Sequence, residues 1–144
     1  MIFRAVCVAF IITSISFLNF EAAQQLKKYH QLISQADEIS AELNTYFYSG
    51  TDVTRQGQLQ IFQQKALPEL KAYAHVAVQL DSLILPAKER KLAKTRSRLI
   101  TLECRLYQLL FAEFEEQDYT KYRPEINEIT KQVNILREGP GWVK

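Results

Sequence analysis

The 144 residues carry a net charge of +2, and 47% of them are hydrophobic, which suffices for one domain with a substantial core. Only four glycines and four prolines occur, which argues against an all-β fold built on many tight turns. The basic excess is small and no polybasic tail is present, so we expect no nucleic-acid partner.

Residues 1–21 have the pattern of a targeting segment. Arg4 is followed by an apolar run at residues 5–12, and Ser14 and Ser16 are small residues around a candidate cleavage point. We therefore predict an exported protein, periplasmic or secreted. No cleavage point is ideal, so an uncleaved membrane anchor is the alternative, although the run is short for the roughly 20 residues of a span. A buried N-terminal helix is the third interpretation.

Two helices are predicted next. Residues 22–48 carry apolar residues at heptad spacing, and Gly50 is expected to end the helix. The second helix is predicted for residues 53–85. Pro68 interrupts it, and because the apolar periodicity continues on both sides, we predict a kink at this proline. Such a bend is also a place where a ligand cavity can open.

The third predicted helix covers residues 86–117 and contains the densest apolar run after the N-terminus. Two apolar stripes lie side by side on it, so the helix must be covered on two sides. The second stripe is also a candidate homodimer face. The first stripe consists of Leu92, Leu99, Leu102, Leu106 and Leu109, and the second of Ile100, Cys104, Tyr107 and Phe111.

The fourth predicted helix begins near Pro124 and ends before Gly139, and residues 139–144 form a tail. Four amphipathic helices with short connections predict an all-α fold. We predict an antiparallel up-down-up-down four-helix bundle over residues 22–138, preceded by the signal or anchor segment.

A carboxylate, Glu103, falls in the middle of the apolar surface of the third helix. A buried carboxylate is costly unless it is paired or protonated. One interpretation makes Glu103 part of a buried polar site, together with His75 of the second helix. The other pairs it with an arginine, lysine or tyrosine of a neighbouring helix, which is the commoner situation in proteins.

The residues that common bundle cofactors require are missing. The chain has no Glu-x-x-His pair for a di-iron site and no Cys-x-x-Cys-His for a c-type haem. Its two histidines, His30 and His75, differ in height by about one helical turn along the predicted bundle, so we do not expect them to bind one haem iron together. No clustered zinc ligands and no glycine-rich phosphate loop occur. We expect no cofactor, no metal and no enzymatic activity, and we expect Cys104 to be buried.

The charges of the third helix run against its dipole, because bases gather at its start and acids at its end. In the predicted bundle, the start of this helix lies beside the start of the first helix and the end of the fourth. We call this end the basic pole and predict that it is a binding surface, to which the tail adds a tryptophan. Its residues are Lys88, Arg90, Lys91, Lys94, Arg98 and Trp142.

Two functional hypotheses follow. The first is a non-enzymatic exported binding or adaptor protein that contacts a partner protein, or an anionic membrane or envelope component, through the basic pole. The alternative is a sensor-like bundle that holds a small molecule between its helices, around Glu103, His75 and the Pro68 kink.

Overall fold

The computed structural model describes residues 2–48 and 54–139, with side chains described for residues 20–47 and 54–139. These residues form four helices, the second of which contains a π-helical turn, and they contain no strand. The predicted all-α class is therefore confirmed. The elements are α1 (Ile2–Tyr48), α2 (Arg55–Ile61), the π turn (Phe62–Ala66), α3 (Leu67–Ser82), α4 (Ala87–Glu116) and α5 (Arg123–Glu138).

Helix α1 is one uninterrupted helix of 47 residues. Its start was predicted at residue 22, but residues 2–48 contain neither glycine nor proline, so no residue in this range stops the helix. The predicted boundary of the targeting segment thus falls inside α1. Among the described residues, no helix combines the length and apolar character needed to span a bilayer. Gly50, the predicted end of the first helix, lies outside the described residues.

The second predicted helix continues through Pro68 by means of the π turn. A proline lacks an N–H, and its ring crowds the carbonyl group four residues earlier in a regular α-helix. The wider π turn lies directly before it, and the N–H of Leu67 donates to the carbonyl oxygen of Phe62, five residues back. An insertion of this kind is a known way to relieve a strained helix. The predicted interruption is therefore a widened turn, with helix on both sides.

Helix α4 lies between two hydrophobic cores, as its two stripes predicted. The first core joins α4 to α1, α3 and the π turn, and the second joins α4 to α5. Ile100 is fully buried, Cys104 is 8% exposed and Tyr107 is 3% exposed, all in the first core. This stripe is covered by α1 and α3 of the same chain, so it is not free to form the homodimer face that the sequence suggested. Fully buried members of the first core include Ala36, Leu43, Tyr73, Leu80 and Ile100.

Polar contacts give the direction of the helices. Asp37 of α1 forms an ion pair with Arg96, and Asn44, further along α1, accepts a hydrogen bond from Tyr107 at 2.8 Å. Since both contacts advance together along α1 and α4, these helices run parallel. Helix α5 returns along α4 after the turn at residues 117–122.

The turn between α4 and α5 is held by its own side chains. Gln117 ends α4 in the left-handed conformation, with φ of 57°. The Asp118 carboxylate then accepts backbone N–H bonds from Thr120 and Lys121, both at 3.1 Å. The hydrogen bond from the Thr120 hydroxyl, followed by these backbone bonds, holds the pKa of Asp118 below its ordinary value. Lys121 also pairs with Glu116 at 2.6 Å, so the start of α5 is fixed against the end of α4.

Aromatic rings fill the first core beside the π turn. Phe62 is 3% exposed, and its ring stacks on that of Phe47 with centroids 4.5 Å apart. Phe111 and Phe114 meet the same ring edge-on at 5.5 Å. The π turn, α1 and α4 are thus joined by one aromatic cluster.

We expect Phe62→Ala to lower the free energy of unfolding by about 3–5 kcal/mol, because it removes a buried ring and leaves a cavity. Val78→Ala, at a side chain that is 65% exposed, should change it by less than about 0.5 kcal/mol. Denaturant unfolding followed by circular dichroism measures both. Equal losses in the two variants would contradict the assigned packing.

Candidate functional site

Four residues of the basic pole, Arg90, Lys91, Lys94 and Arg98, line a shallow groove, which we call the basic groove. It has a volume of about 460 Å³ and lies beside the first turns of α4. It exists because α5 has 16 residues and α4 has 30, so α5 ends before it reaches those turns. The groove is lined by Ala87, Arg90, Lys91, Lys94, Thr95 and Arg98 of α4 and by Leu136 of α5.

The cationic groups at this groove are available to a partner. Lys88, Lys91, Lys94 and Arg98 are exposed, and none of them forms an ion pair within residues 20–47 and 54–139. Arg90 donates from Nε and Nη2 to the carbonyl oxygen of Leu85, at 3.1 and 2.8 Å. The predicted sixth member, Trp142, lies outside the described residues.

The opposite, acidic end of α4 differs because two of its acids, Glu113 and Glu116, form ion pairs. Glu113 is buried and pairs with Arg123 at 2.7 Å. Glu116 pairs with Lys121, whose ammonium group and the Tyr122 hydroxyl hold the pKa of Glu116 below its ordinary value. Glu116 thus binds the turn through Lys121 and Glu113 binds α5 through Arg123, whereas the bases of the groove face solvent.

Glu103 lies where the two cores meet, and it is 3% exposed. Its two carboxylate oxygens accept hydrogen bonds from the Tyr73 hydroxyl of α3 and from Nη2 of Arg137 of α5. Ser40 of α1 hydrogen-bonds the same tyrosine. We call Ser40, Tyr73, Glu103 and Arg137 the polar chain, since they connect all four helices.

Burial and charge within the polar chain keep the Glu103 carboxylate hydrogen-bonded to its partners. Burial, and then the negative charge of Glu103, raise the pKa of Tyr73 far above its ordinary value, so Tyr73 stays neutral and donates. Burial lowers the pKa of Arg96, and attraction to Glu103 partly offsets that effect. Glu103 therefore has the tyrosine and arginine partners that the structural interpretation requires.

The structure does not bring His75 and Glu103 together. His75 is exposed on α3, and its Nε2 lies 2.7 Å from the side-chain nitrogen of Gln79 on the same helix. Within the described part of the chain, no group of three or more histidine, cysteine, aspartate or glutamate side chains is placed to hold a metal ion.

Cys104 is buried next to Glu103, and its thiol lies 3.8 Å from the carbonyl oxygen of Leu70. Burial, with a smaller contribution from the charge of Glu103, raises the pKa of this thiol to about 12. A thiol in this state is protonated at neutral pH and is a poor nucleophile.

Sequence reasoning did not identify Tyr73 and Arg137 as the partners of Glu103, or Leu136 as a wall of the groove. A signal was present for Arg137, which follows Val133 by four residues and therefore lies on the same face of α5. No pattern within one helix reveals which residue of another helix it meets.

Comparison with protein-family models, curated proteins and solved structures finds no match to this chain. The described residues form a helical fold with a cationic groove and a buried carboxylate whose hydrogen bonds are made internally.

We expect Arg137→Met to lower the free energy of unfolding by about 3 kcal/mol, because it leaves the buried Glu103 carboxylate without its ionic partner. The value is at the low end for a buried pair because Arg137 is itself 43% exposed. Arg105→Met is the matched control, since Arg105 joins α4 to Glu125 of α5 in an exposed pair worth less than about 1 kcal/mol. Denaturant unfolding that ranks the two variants in the reverse order would refute this role of the polar chain.

We expect stability to fall more steeply above pH 9 in the native chain than in Cys104→Ala. The free thiol has an ordinary pKa of 9.0 and the buried thiol one of about 12, so the unfolded chain loses this proton first as pH rises. At pH 10 the difference amounts to about 1 kcal/mol. Denaturant unfolding at pH 8 and pH 10 measures it, and parallel pH profiles for the two proteins would contradict the buried thiol.

Proposed function

We propose that this protein is a non-enzymatic, exported helical binding protein that contacts an anionic partner, either a protein or an envelope component, through the basic groove. The observation that carries this proposal is the set of cationic side chains along one groove, with Lys91, Lys94 and Arg98 unpaired within the described residues. Export is supported by the charged and apolar pattern of residues 1–21.

The contrast between the two ends of α4 supports this choice of surface. Charges that only kept the protein soluble would be expected to pair with neighbours as often at one end as at the other. Here the acids Glu113 and Glu116 are paired, whereas the bases of the groove are not. A row of bases at the start of a helix also opposes the helix dipole, at a cost of typically 0.3–1 kcal/mol for each charge. An anionic partner would offset that cost.

The small-molecule alternative finds less support. Glu103 makes its hydrogen bonds within the polar chain, and His75 is exposed on a different part of the surface. Rings packed around Phe62 occupy the space beside the π turn, where a kink was expected to open a cavity.

We expect the full-length protein to bind inorganic polyphosphate, used as a soluble anionic probe, with an affinity that falls as salt is added. The variant K91E/K94E/R98E should bind at least about 100-fold more weakly, since each base contributes about 1 kcal/mol near an anionic surface and each reversal adds repulsion. Isothermal titration calorimetry at low and high salt measures both effects.

The matched control is K65E/K71E/K131E, which changes the net charge equally at exposed lysines of the π turn, α3 and α5. It should retain most of the affinity. If the two triple variants lose binding to the same extent, net charge and not the groove is responsible, and the proposed function fails.

A further inference from the structure

We propose that the basic pole docks on the surface of an anionic lipid bilayer, with Ile84 and Leu26 entering the headgroup region. This inference rests on the proposed function, because it takes the basic groove as the contact surface. It adds the identity of the partner and the orientation of the protein on it.

Exposed apolar side chains lie at the same end of the bundle as the basic groove. Ile84 is 73% exposed and stands two residues before Pro86, the N-cap of α4. Leu26 is 36% exposed and lies eleven residues before Asp37 on α1, and Asp37 pairs with Arg96, which lies nine residues after the start of the parallel helix α4. Both side chains therefore lie near the start of α4. Phe20, 63% exposed, precedes Leu26 by six residues on α1 and so lies beyond it at this end of the helix.

Ile84 is held outward by a fixed backbone. Its neighbours Leu83 and Leu85 are buried, at 7% and 2% exposure, so the connection between α3 and α4 is anchored on both sides of Ile84. Arg90 adds two hydrogen bonds to the carbonyl oxygen of Leu85. A single exposed aliphatic residue is ordinary on a protein surface. An aliphatic residue that is fixed outward beside unpaired bases matches the surface of an interfacial membrane-binding protein.

The charge at this end favours a negative surface. The acids there are Glu21, Asp81, Glu89 and Glu138. The bases outnumber them. They are Lys27, Lys28, Lys88, Arg90, Lys91, Lys94 and Arg98.

The path of α1 favours a bilayer over an acidic protein or a nucleic acid. From Tyr29, α1 runs toward Ile2 for 27 further residues, or about 40 Å at 1.5 Å per residue. The sequence of that stretch includes the apolar run at residues 5–12. Bases, fixed apolar side chains and an apolar sequence thus follow one another from the basic pole outward. A lipid bilayer offers phosphate groups to the bases. It offers hydrocarbon to the fixed apolar side chains and to the apolar sequence.

The first test measures binding of the full chain to vesicles of one part phosphatidylglycerol to two parts phosphatidylcholine, and to vesicles of phosphatidylcholine alone. We expect the anionic vesicles to bind the protein more tightly. Leu26→Ser combined with Ile84→Ser should lower the partition coefficient about tenfold, because apolar contact with the interface is lost. Tyr119→Ser combined with Pro124→Ser is the control, since both side chains are exposed at the opposite, acidic end of the bundle, and it should bind as the native chain does.

The outcomes separate this inference from the proposed function. Polyphosphate binding should be equal in both double variants, because neither changes a base. Tight polyphosphate binding without preference for anionic vesicles overturns the membrane inference and leaves the groove as a site for a soluble acidic partner. If the native chain does not bind polyphosphate, the proposed function is wrong. Equal vesicle losses in the two double variants also overturn the membrane inference.

The second test reports orientation directly. In a Trp142→Phe background, the variants Ile84→Trp and Tyr119→Trp place one tryptophan at the basic pole or at the opposite, acidic end. On anionic vesicles that contain acyl-brominated lipid, fluorescence of the Ile84→Trp protein should be quenched and that of the Tyr119→Trp protein should not. Quenching of both alike, or of the second alone, refutes the orientation. Far-UV circular dichroism checks that each variant is folded.

Discussion

The constraint that organises the fold is that α4 has two apolar faces and each must be buried. One neighbouring helix cannot cover both, so α1 and α3 cover one face and α5 covers the other. The boundary between the two cores passes through Glu103, where an apolar residue would join them. Because a carboxylate there must be satisfied, the polar chain fixes which side chains of α3 and α5 meet α4. The arrangement of all four helices depends on this boundary between the two cores and on the polar chain that crosses it.

Much of the fold was predictable from periodicity. The bounds of α4 and α5, the burial of both stripes of α4 and the interruption near Pro68 follow from local patterns that one helix carries by itself. Helix α1 continues before residue 22, the predicted start of the first helix, because residues 2–48 contain no glycine or proline that would stop it. The π turn was not predicted either. Its form depends on how Phe62 packs against rings from α1 and α4, which is a tertiary effect.

The candidate site was predictable in part. Clustered bases at the start of α4 are visible in the sequence, and so is the isolated Glu103. The sequence does not show that Glu103 is paired whereas the bases are not, because pairing depends on side chains from other helices. Arg137 neutralises Glu103 across the boundary between the two cores, whereas nothing within the described residues pairs with Lys91 or Lys94. The exposure of His75 could not be predicted for the same reason. Its position in an apolar segment suggested burial, but its side chain is exposed.

The short length of α5 has a consequence for the energetics of α4. Residues of α4 beyond the reach of α5 are supported on one side only, so their backbone hydrogen bonds should open at lower free energy than those at the middle of the helix. The basic groove lies on this less protected part. A ligand that filled the place where α5 is missing would act as an added structural element, and its binding energy would be shared with local folding.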